Sequence, residues 1–310
     1  MSTDTAHAPD VRRTPCFIPL TDRPPVLLTD TRLGVVQHTD GGDGPVLLAL
    51  HGGMGGYDQS LVLAETLLGK APAYRVIAVS RPGYLGTPRE GRESAAQQAD
   101  LFAALLDTLG IERAVVAAVS AGGPSAISFA ARHADRCAGL ILVSTASGRF
   151  DVPDYVLKRL SWFGWLVRVP GLLSLLAWLR GRKPEKAAAR AIGDPALVRS
   201  TLDHPEAGPL LLGLLSTTFQ KMAARMPGTV AETIGFADLP PLPFDQVRAP
   251  TLVIHGDADK VVPFSHAERS AREITGAELF VVPGGGHTSL LTHIDAVRER
   301  ARAFLKRIGA

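Results

Sequence analysis

A serine, a histidine and an aspartate that stand far apart in this chain carry its strongest chemical signature. Ser120 lies in the run AVVAAVSAGGPSA, where an apolar, strand-like stretch passes at once into a helix-compatible one. So sharp a strand-to-helix turn strains the backbone at its apex, and small residues two places before and after it, here Ala118 and Gly122, avoid the clashes. The turn lifts the hydroxyl above the strand ends and sets it at a helix N-terminus, whose N–H groups can hold a developing negative charge. His287 follows three glycines in VVPGGGHTSL, just past another apolar run. From such a loop an imidazole can take the Ser120 proton as attack begins and return it to the leaving group. Asp259, in PTLVIHGDADKVVP, is the acid expected to bond the other ring nitrogen, fixing the tautomer and stabilising the imidazolium. Asp257, two residues nearer the strand, competes with it for that role.

Acyl transfer through a serine also needs two N–H donors aimed at one oxygen. Ala121, directly after the nucleophile, supplies one. The glycine-rich run 51–56, HGGMGG, supplies the other through Gly53, with Met54 as the neighbouring candidate. The same run does not read as a phosphate loop, because neither Gly-Lys-Ser/Thr nor G-x-G-x-x-G spacing follows. His51 is expected to hold this loop rather than to catalyse. His38, His133, His204, His266 and His293 read as solvated or satisfied side chains, and His255 as a packed strand residue. No histidine pair has metal-ligand spacing, so neither metal nor cofactor is expected.

These groups can meet only if the elements beneath them bring strand ends to one edge. Near-continuous apolar runs at 45–52, 74–83, 114–120, 137–146, 250–257 and 277–285 suit strands buried on both faces. Helical patterns at 93–109, 122–132, 265–274 and 287–308 separate or follow them, and 26–29 and 33–38 read as antiparallel edge strands. The alternation implies an α/β fold with a doubly wound, mostly parallel eight-stranded sheet, whose strand ends converge along one edge. From 147 to 247 no strand pattern appears. This Leu-, Ala- and Trp-rich stretch reads as a helical cap inserted in a core of 25–146 and 248–310, after a leader of 1–24.

The 310 residues suffice for one large core and a modest insertion. A hydrophobic share of 46% with 20% charged residues is a globular balance, and a net charge of +3 without a basic block gives no nucleic-acid footprint. The polar first 25 residues lack a signal-peptide core, which makes cytoplasmic location the expectation. The apolar stretch 160–180 is split by Arg168 and Pro170-Gly171 into halves too short to span a bilayer, so no stable membrane insertion is expected. Cys16 and Cys137 read as free thiols.

Taken together, HGGMGG, SRPGYLGTP, AVSAGGPSA, HGDADKVVP and GGGH resemble the α/β-hydrolase superfamily, in its cap-bearing esterase, lipase and proline-iminopeptidase-like branch. The resemblance covers roughly 45–308, and the order Ser120, Asp259, His287 is the one expected for that fold. It implies that Arg81 to Gly86 match the family's Arg-x-Gly-x-Gly loop and that Ser120, His287 and Asp259 match its nucleophile, base and acid, with Asp151 a competing acid because it occupies a place where some relatives carry that residue. Two departures stand out: Val119 and Ala121 flank the serine where His or Trp is common, and HGGMGG replaces the HGGPG of iminopeptidases. The expected activity is hydrolysis of a small, mostly apolar carboxylic ester by a monomer or homodimer. Met54, Val119, Trp162, Trp165, Phe219 and Met222 are the expected substrate-binding residues. C–C or amide hydrolysis and perhydrolysis on the same triad, and a non-catalytic binder, are the alternatives.

Overall fold

The six apolar runs form six parallel strands: β3 (Val46–Leu50), β4 (Arg75–Val79), β5 (Ala114–Val119), β6 (Cys137–Val143), β7 (Thr251–Gly256) and β8 (Glu278–Val282). The computed structural model describes residues 23–69, 73–149, 184–219 and 221–310. With β1 (Val26–Thr31) and β2 (Gly34–Gly41) the strands make one eight-stranded sheet in the order β1-β2-β4-β3-β5-β6-β7-β8. The expectation of two edge strands needs one correction. Of these two only β1 is an edge, because β2 pairs antiparallel with β1 on one side and with β4 on the other.

Strand side chains alternate between two cores, as the pleat requires. Leu48, Leu50, Val116, Ala118, Leu140 and Leu142 face α2 (Ala95–Thr108), α3 (Gly123–Arg132) and α8 (Ser265–Glu273). Their neighbours Leu47, Ala49, Val115, Ala117, Ile141 and Val143 face α1 (Tyr57–Leu68) and α10 (Ile294–Arg307). Both faces are covered, which explains why the strands read as continuous apolar runs rather than as alternating ones. The expected helix over 287–308 is divided into α9 (Ser289–Thr292) and α10, because His293 between them has φ −128°.

Between β6 and β7 lies an insertion whose described part is helical. Its described part contains α4 (Pro184–Ile192), α5 (Pro195–Asp203), α6 (Ala207–Phe219) and α7 (Met222–Gly235), with no strand among the described residues. The first three of these helices share a small core with α1 and α9 through Ala188, Val198, Leu210, Leu211, Val62 and Leu291. Helix α7 instead lies over the loops that follow β3 and β4. There the Leu85 N–H donates to the Ala224 carbonyl (2.7 Å) and the Gly228 N–H to the Gly83 carbonyl (2.8 Å). A methyl group on Gly228 would stand 2.3 Å from the Tyr84 ring, so only glycine permits this approach.

Candidate active site

Strand β5 ends at Val119, and Ser120 stands at φ 53°, the left-handed region that a serine enters only under constraint. The neighbours show why small residues surround it. A methyl on Gly122 would lie 2.8 Å from the His51 carbonyl oxygen, and one on Gly123 would lie 2.4 Å from that of Ala146. The Ser120 carbonyl is pinned by the Ala146 N–H at 3.0 Å. The hydroxyl is thereby held at the N-terminal end of α3.

His287 Nε2 lies 3.0 Å from Ser120 Oγ, and its Nδ1 lies 2.8 Å from Asp259 Oδ2. A carboxylate only accepts, so the ring proton sits on Nδ1 and Nε2 is the free base facing the hydroxyl. Asp259 is in turn held by its other oxygen, which accepts the Val261 and Val262 N–H groups at 2.8 and 3.0 Å. Burial opposes ionisation of this carboxyl. Hydrogen bonds from His255 and His287 outweigh burial and keep it below the ordinary carboxylate range. Of the competing acids, Asp257 is exposed and accepts the Gly284 N–H (2.7 Å) at the base of the histidine loop. Asp151 lies outside the described residues.

The loops carrying acid and base are tied to each other. The Ala258 N–H donates to the Gly285 carbonyl at 3.0 Å, and a methyl on Gly256 would stand 2.0 Å from that same oxygen. Glycines on both sides of this contact let the two loops approach closely enough for Asp259 and His287 to bond.

The glycine-rich loop runs alongside Ser120: a methyl on Gly52 would reach within 3.0 Å of its Cβ. His51 holds this loop as a neutral ring. Its Nδ1 donates to the Gly52 carbonyl (2.6 Å), its Nε2 accepts the Arg81 N–H (2.9 Å), and burial together with the Arg81 charge holds its pKa well below the ordinary value. Met54 stands at φ 57° and its N–H donates to the Thr229 hydroxyl of α7 at 3.1 Å. Among the described residues, no acceptor takes the Gly53 or Ala121 N–H.

A cavity of about 450 Å³ opens beside the elbow, walled by Ala121, Pro124, Ala231, Gly235, Phe236 and Leu242 among others. Ala121 is its link to the nucleophile, since Ser120 and His287 are not part of the wall. Met54 and Val119, both half-buried, and the buried Met222 do not line it either. Trp162, Trp165 and the Phe219 side chain lie outside the described residues. No cluster of three or more His, Cys, Asp or Glu side chains suited to a metal occurs among the described residues. Burial pushes the Cys137 thiol up to about 12, which leaves it unreactive.

Two contacts beside the site were not expected from the sequence. His255 is fully buried, as a packed strand residue, and its Nε2 reaches the Val262 carbonyl at 3.0 Å and Asp259 Oδ2 at 3.4 Å, so it is a second imidazole beside the Asp259 carboxylate. Its position four residues before Asp259 was the available signal. Glu232, on α7, grips the buried Arg81 and accepts the Tyr84 hydroxyl at 2.6 Å. Nothing local to Glu232 in the sequence points there.

Comparison with known proteins agrees with this architecture. A solved α/β-hydrolase fold protein from Nakamurella multipartita superposes with a TM-score of 0.80 at 31% identity, covering 92% of this chain and 100% of that one. An uncharacterized hydrolase of Bacillus subtilis, YcgS, is 29% identical over 82% of this chain and 88% of its own length. The 2-hydroxymuconate semialdehyde hydrolase of Pseudomonas putida is 27% identical over 74% and 75% respectively. The family model described as the alpha/beta hydrolase fold matches residues 45–294, and the chain belongs to that family of hydrolases.

Proposed function

We propose that the protein is a serine hydrolase that cleaves a small, mostly apolar carboxylic ester through an acyl-enzyme. The reading rests above all on the unbroken hydrogen-bonded series from Ser120 Oγ through the His287 ring to Asp259, at 3.0 and 2.8 Å. As Oγ bonds to the ester carbon, its proton passes to His287 Nε2, and the carbonyl π electrons move to oxygen. The Gly53 and Ala121 N–H groups receive that oxyanion. When it collapses the C–O bond to the alcohol breaks, and His287 returns the proton to the leaving oxygen. Water, deprotonated by His287, then attacks the acyl-serine; the bond from the acyl carbon to Oγ breaks, His287 returns the proton to Oγ and the acid is released. No step calls on a metal or cofactor.

The insertion, 147–247, serves as a cap over this site in our reading, on a core of 25–146 and 248–310. The cavity that begins at Ala121 takes one of the two groups of the ester. Its walls set Phe236, Leu239 and Pro240 beside Arg81, Arg89, Glu93 and Glu232, which gives that group apolar surface with a polar margin. C–C bond hydrolysis is the second reading, favoured by the similarity to the Pseudomonas putida semialdehyde hydrolase.

A panel of p-nitrophenyl esters of graded acyl length, with fluorophosphonate labelling, tests the proposal. Turnover and labelling are expected in the wild type and neither in Ser120→Ala. A folded wild type that labels but turns over no ester, while cleaving a vinylogous 1,5-diketone, would move the assignment to C–C hydrolysis. Absence of labelling would remove the serine mechanism.

A further inference from the structure

The triad makes no use of a fully buried guanidinium that sits directly behind the glycine-rich loop. The Arg81 side chain is 1% exposed. Its Nε donates to the His51 carbonyl at 2.7 Å and its Nη2 to the Gly52 carbonyl at 3.2 Å. The far side of the fork is held by the Glu232 carboxylate of α7 through both Nη1 and Nη2, the latter at 2.9 Å from Oε2. The Tyr84 hydroxyl donates to the same carboxylate. One charge from the insertion thus fixes a side chain that grips two consecutive carbonyls of the loop.

The geometry of a peptide plane gives this grip a consequence. No cis peptide occurs among the described residues, so the Gly53 N–H points opposite to the Gly52 carbonyl. That carbonyl is turned toward Arg81 and the His51 ring, which donates to it at 2.6 Å. The N–H is therefore turned away from Arg81. Ser120 stands beside this peptide: a methyl on Gly52 would lie 3.5 Å from Oγ. Side-chain packing cannot set the direction, because a methyl on Gly53 would meet nothing within 4 Å and glycine is the least restrained residue. The next amide is already engaged, Met54 N–H donating to Thr229 of the same helix.

We propose that Arg81, locked by Glu232, is a positioning residue that aims the Gly53 N–H at the carbonyl oxygen of the substrate, so that helix α7 of the insertion is part of the scaffold of the oxyanion hole. The inference rests on the ester-hydrolase reading above. It assigns α7 a part in the rate of the chemical step rather than in substrate access alone. A donor that must meet an oxyanion at hydrogen-bond distance loses most of its effect when its peptide plane rotates, and losing one such donor costs about 10²–10³ in kcat.

The test uses the full-length protein and three measurements: kcat and KM on a p-nitrophenyl ester, inhibition by phenylboronic acid, and thermal unfolding. Phenylboronic acid accepts Ser120 Oγ at boron and presents a tetrahedral oxygen to the same N–H donors. Replacing a buried ion pair by apolar residues of similar size is often neutral for stability, which makes Arg81→Met with Glu232→Met the variant expected to fold. It should keep KM, lose about 10²-fold or more in kcat, and bind phenylboronic acid more weakly. Glu232→Gln, which leaves every donor of Arg81 in place, should show a smaller loss of the same kind and carries the comparison if the double variant does not fold. A folded variant whose kcat and boronate affinity both stay within about twofold of wild type would overturn the proposal. So would a loss confined to KM. Wild type that turns over no ester would instead refute the reading on which the proposal rests.

Discussion

Asp259→Asn changes one atom type in the candidate site, and its effect follows from the hydrogen-bond directions. In the wild type Oδ1 accepts the Val261 and Val262 N–H groups, while Oδ2 accepts from His287 Nδ1 at 2.8 Å. An asparagine keeps its carbonyl oxygen on the two backbone donors, because only that atom can accept there. Its NH₂ must then face His287. The ring answers by moving its proton to Nε2, the nitrogen that lies 3.0 Å from Ser120 Oγ, and the base is lost. An inverted tautomer of this kind lowers kcat by about 10⁴, equivalent to roughly 5 kcal/mol of barrier. The loop keeps both backbone bonds, so the melting temperature should change little. Asp257→Asn is the control, since Asp257 bonds Gly284 rather than the base and its asparagine can still accept that N–H. The assay is steady-state turnover of a chromogenic ester beside a thermal melt. A folded Asp259→Asn protein within about tenfold of wild-type kcat would refute the orientation argument.

Gly256→Ala should cost about 10² in kcat with the fold retained, because the new methyl would meet the Gly285 carbonyl at 2.0 Å and displace the loop bearing His287; turnover measured beside near-UV circular dichroism checks this. Asp58→Ala should destabilise by about 3–5 kcal/mol in urea unfolding, because it strips the carboxylate from the buried Arg225 fork, bonded at 3.1 and 2.6 Å. Asp58→Leu with Arg225→Met should recover most of that loss. Stability should also fall as pH drops below about 6.5, by up to about 1.4 kcal/mol per pH unit for each buried imidazole. Burial holds His38, His51 and His266 below their ordinary values, so the unfolded chain binds more protons in this range. Urea midpoints that rise on acidification between pH 7 and pH 5 would contradict that sign.

Where burial is lopsided or complete over a short run, the sequence exposes the structure; where it is complete around a helix, it does not. The six parallel strands announce themselves because both faces are covered. Helix α2 does so through Leu101, Leu105 and its Ser94–Gln97 capping box. Helix α1 gives no comparable stripe. Its segment YDQSLVLAETLL is buried on almost every side, Asp58, Gln59 and Ser60 included, so no apolar face stands out against a polar one. Those polar residues are accommodated by partners elsewhere in the chain. Asp58 is bonded to Arg225, and the Ser60 hydroxyl donates to the Val79 carbonyl. Ser120, Asp259 and His287 are legible for a different reason: each lies in the loop or turn that follows a strand, β5, β7 and β8 respectively, and the parallel sheet brings those ends together without any pairing code.

Arg81 and Glu232 belong to the illegible class, since they stand 151 residues apart and neither segment encodes the other. Their burial also bears on why such a pair is there at all. The desolvation cost of two buried charges roughly cancels their attraction, and well-packed apolar residues often serve the fold as well. Stability alone therefore gives no reason for a guanidinium in this position. What an apolar side chain of the same volume cannot do is donate to two adjacent carbonyls. Arg81 does so at His51 and Gly52, in a loop whose glycines carry no side chain to fix their peptide planes and where the His51 ring reaches the Gly52 carbonyl alone. Glu232 fills the remaining donors of the fork and so keeps Arg81 from turning elsewhere. The charge pair is thus accounted for by direction rather than by energy, and the direction it imposes is that of the Gly53 amide.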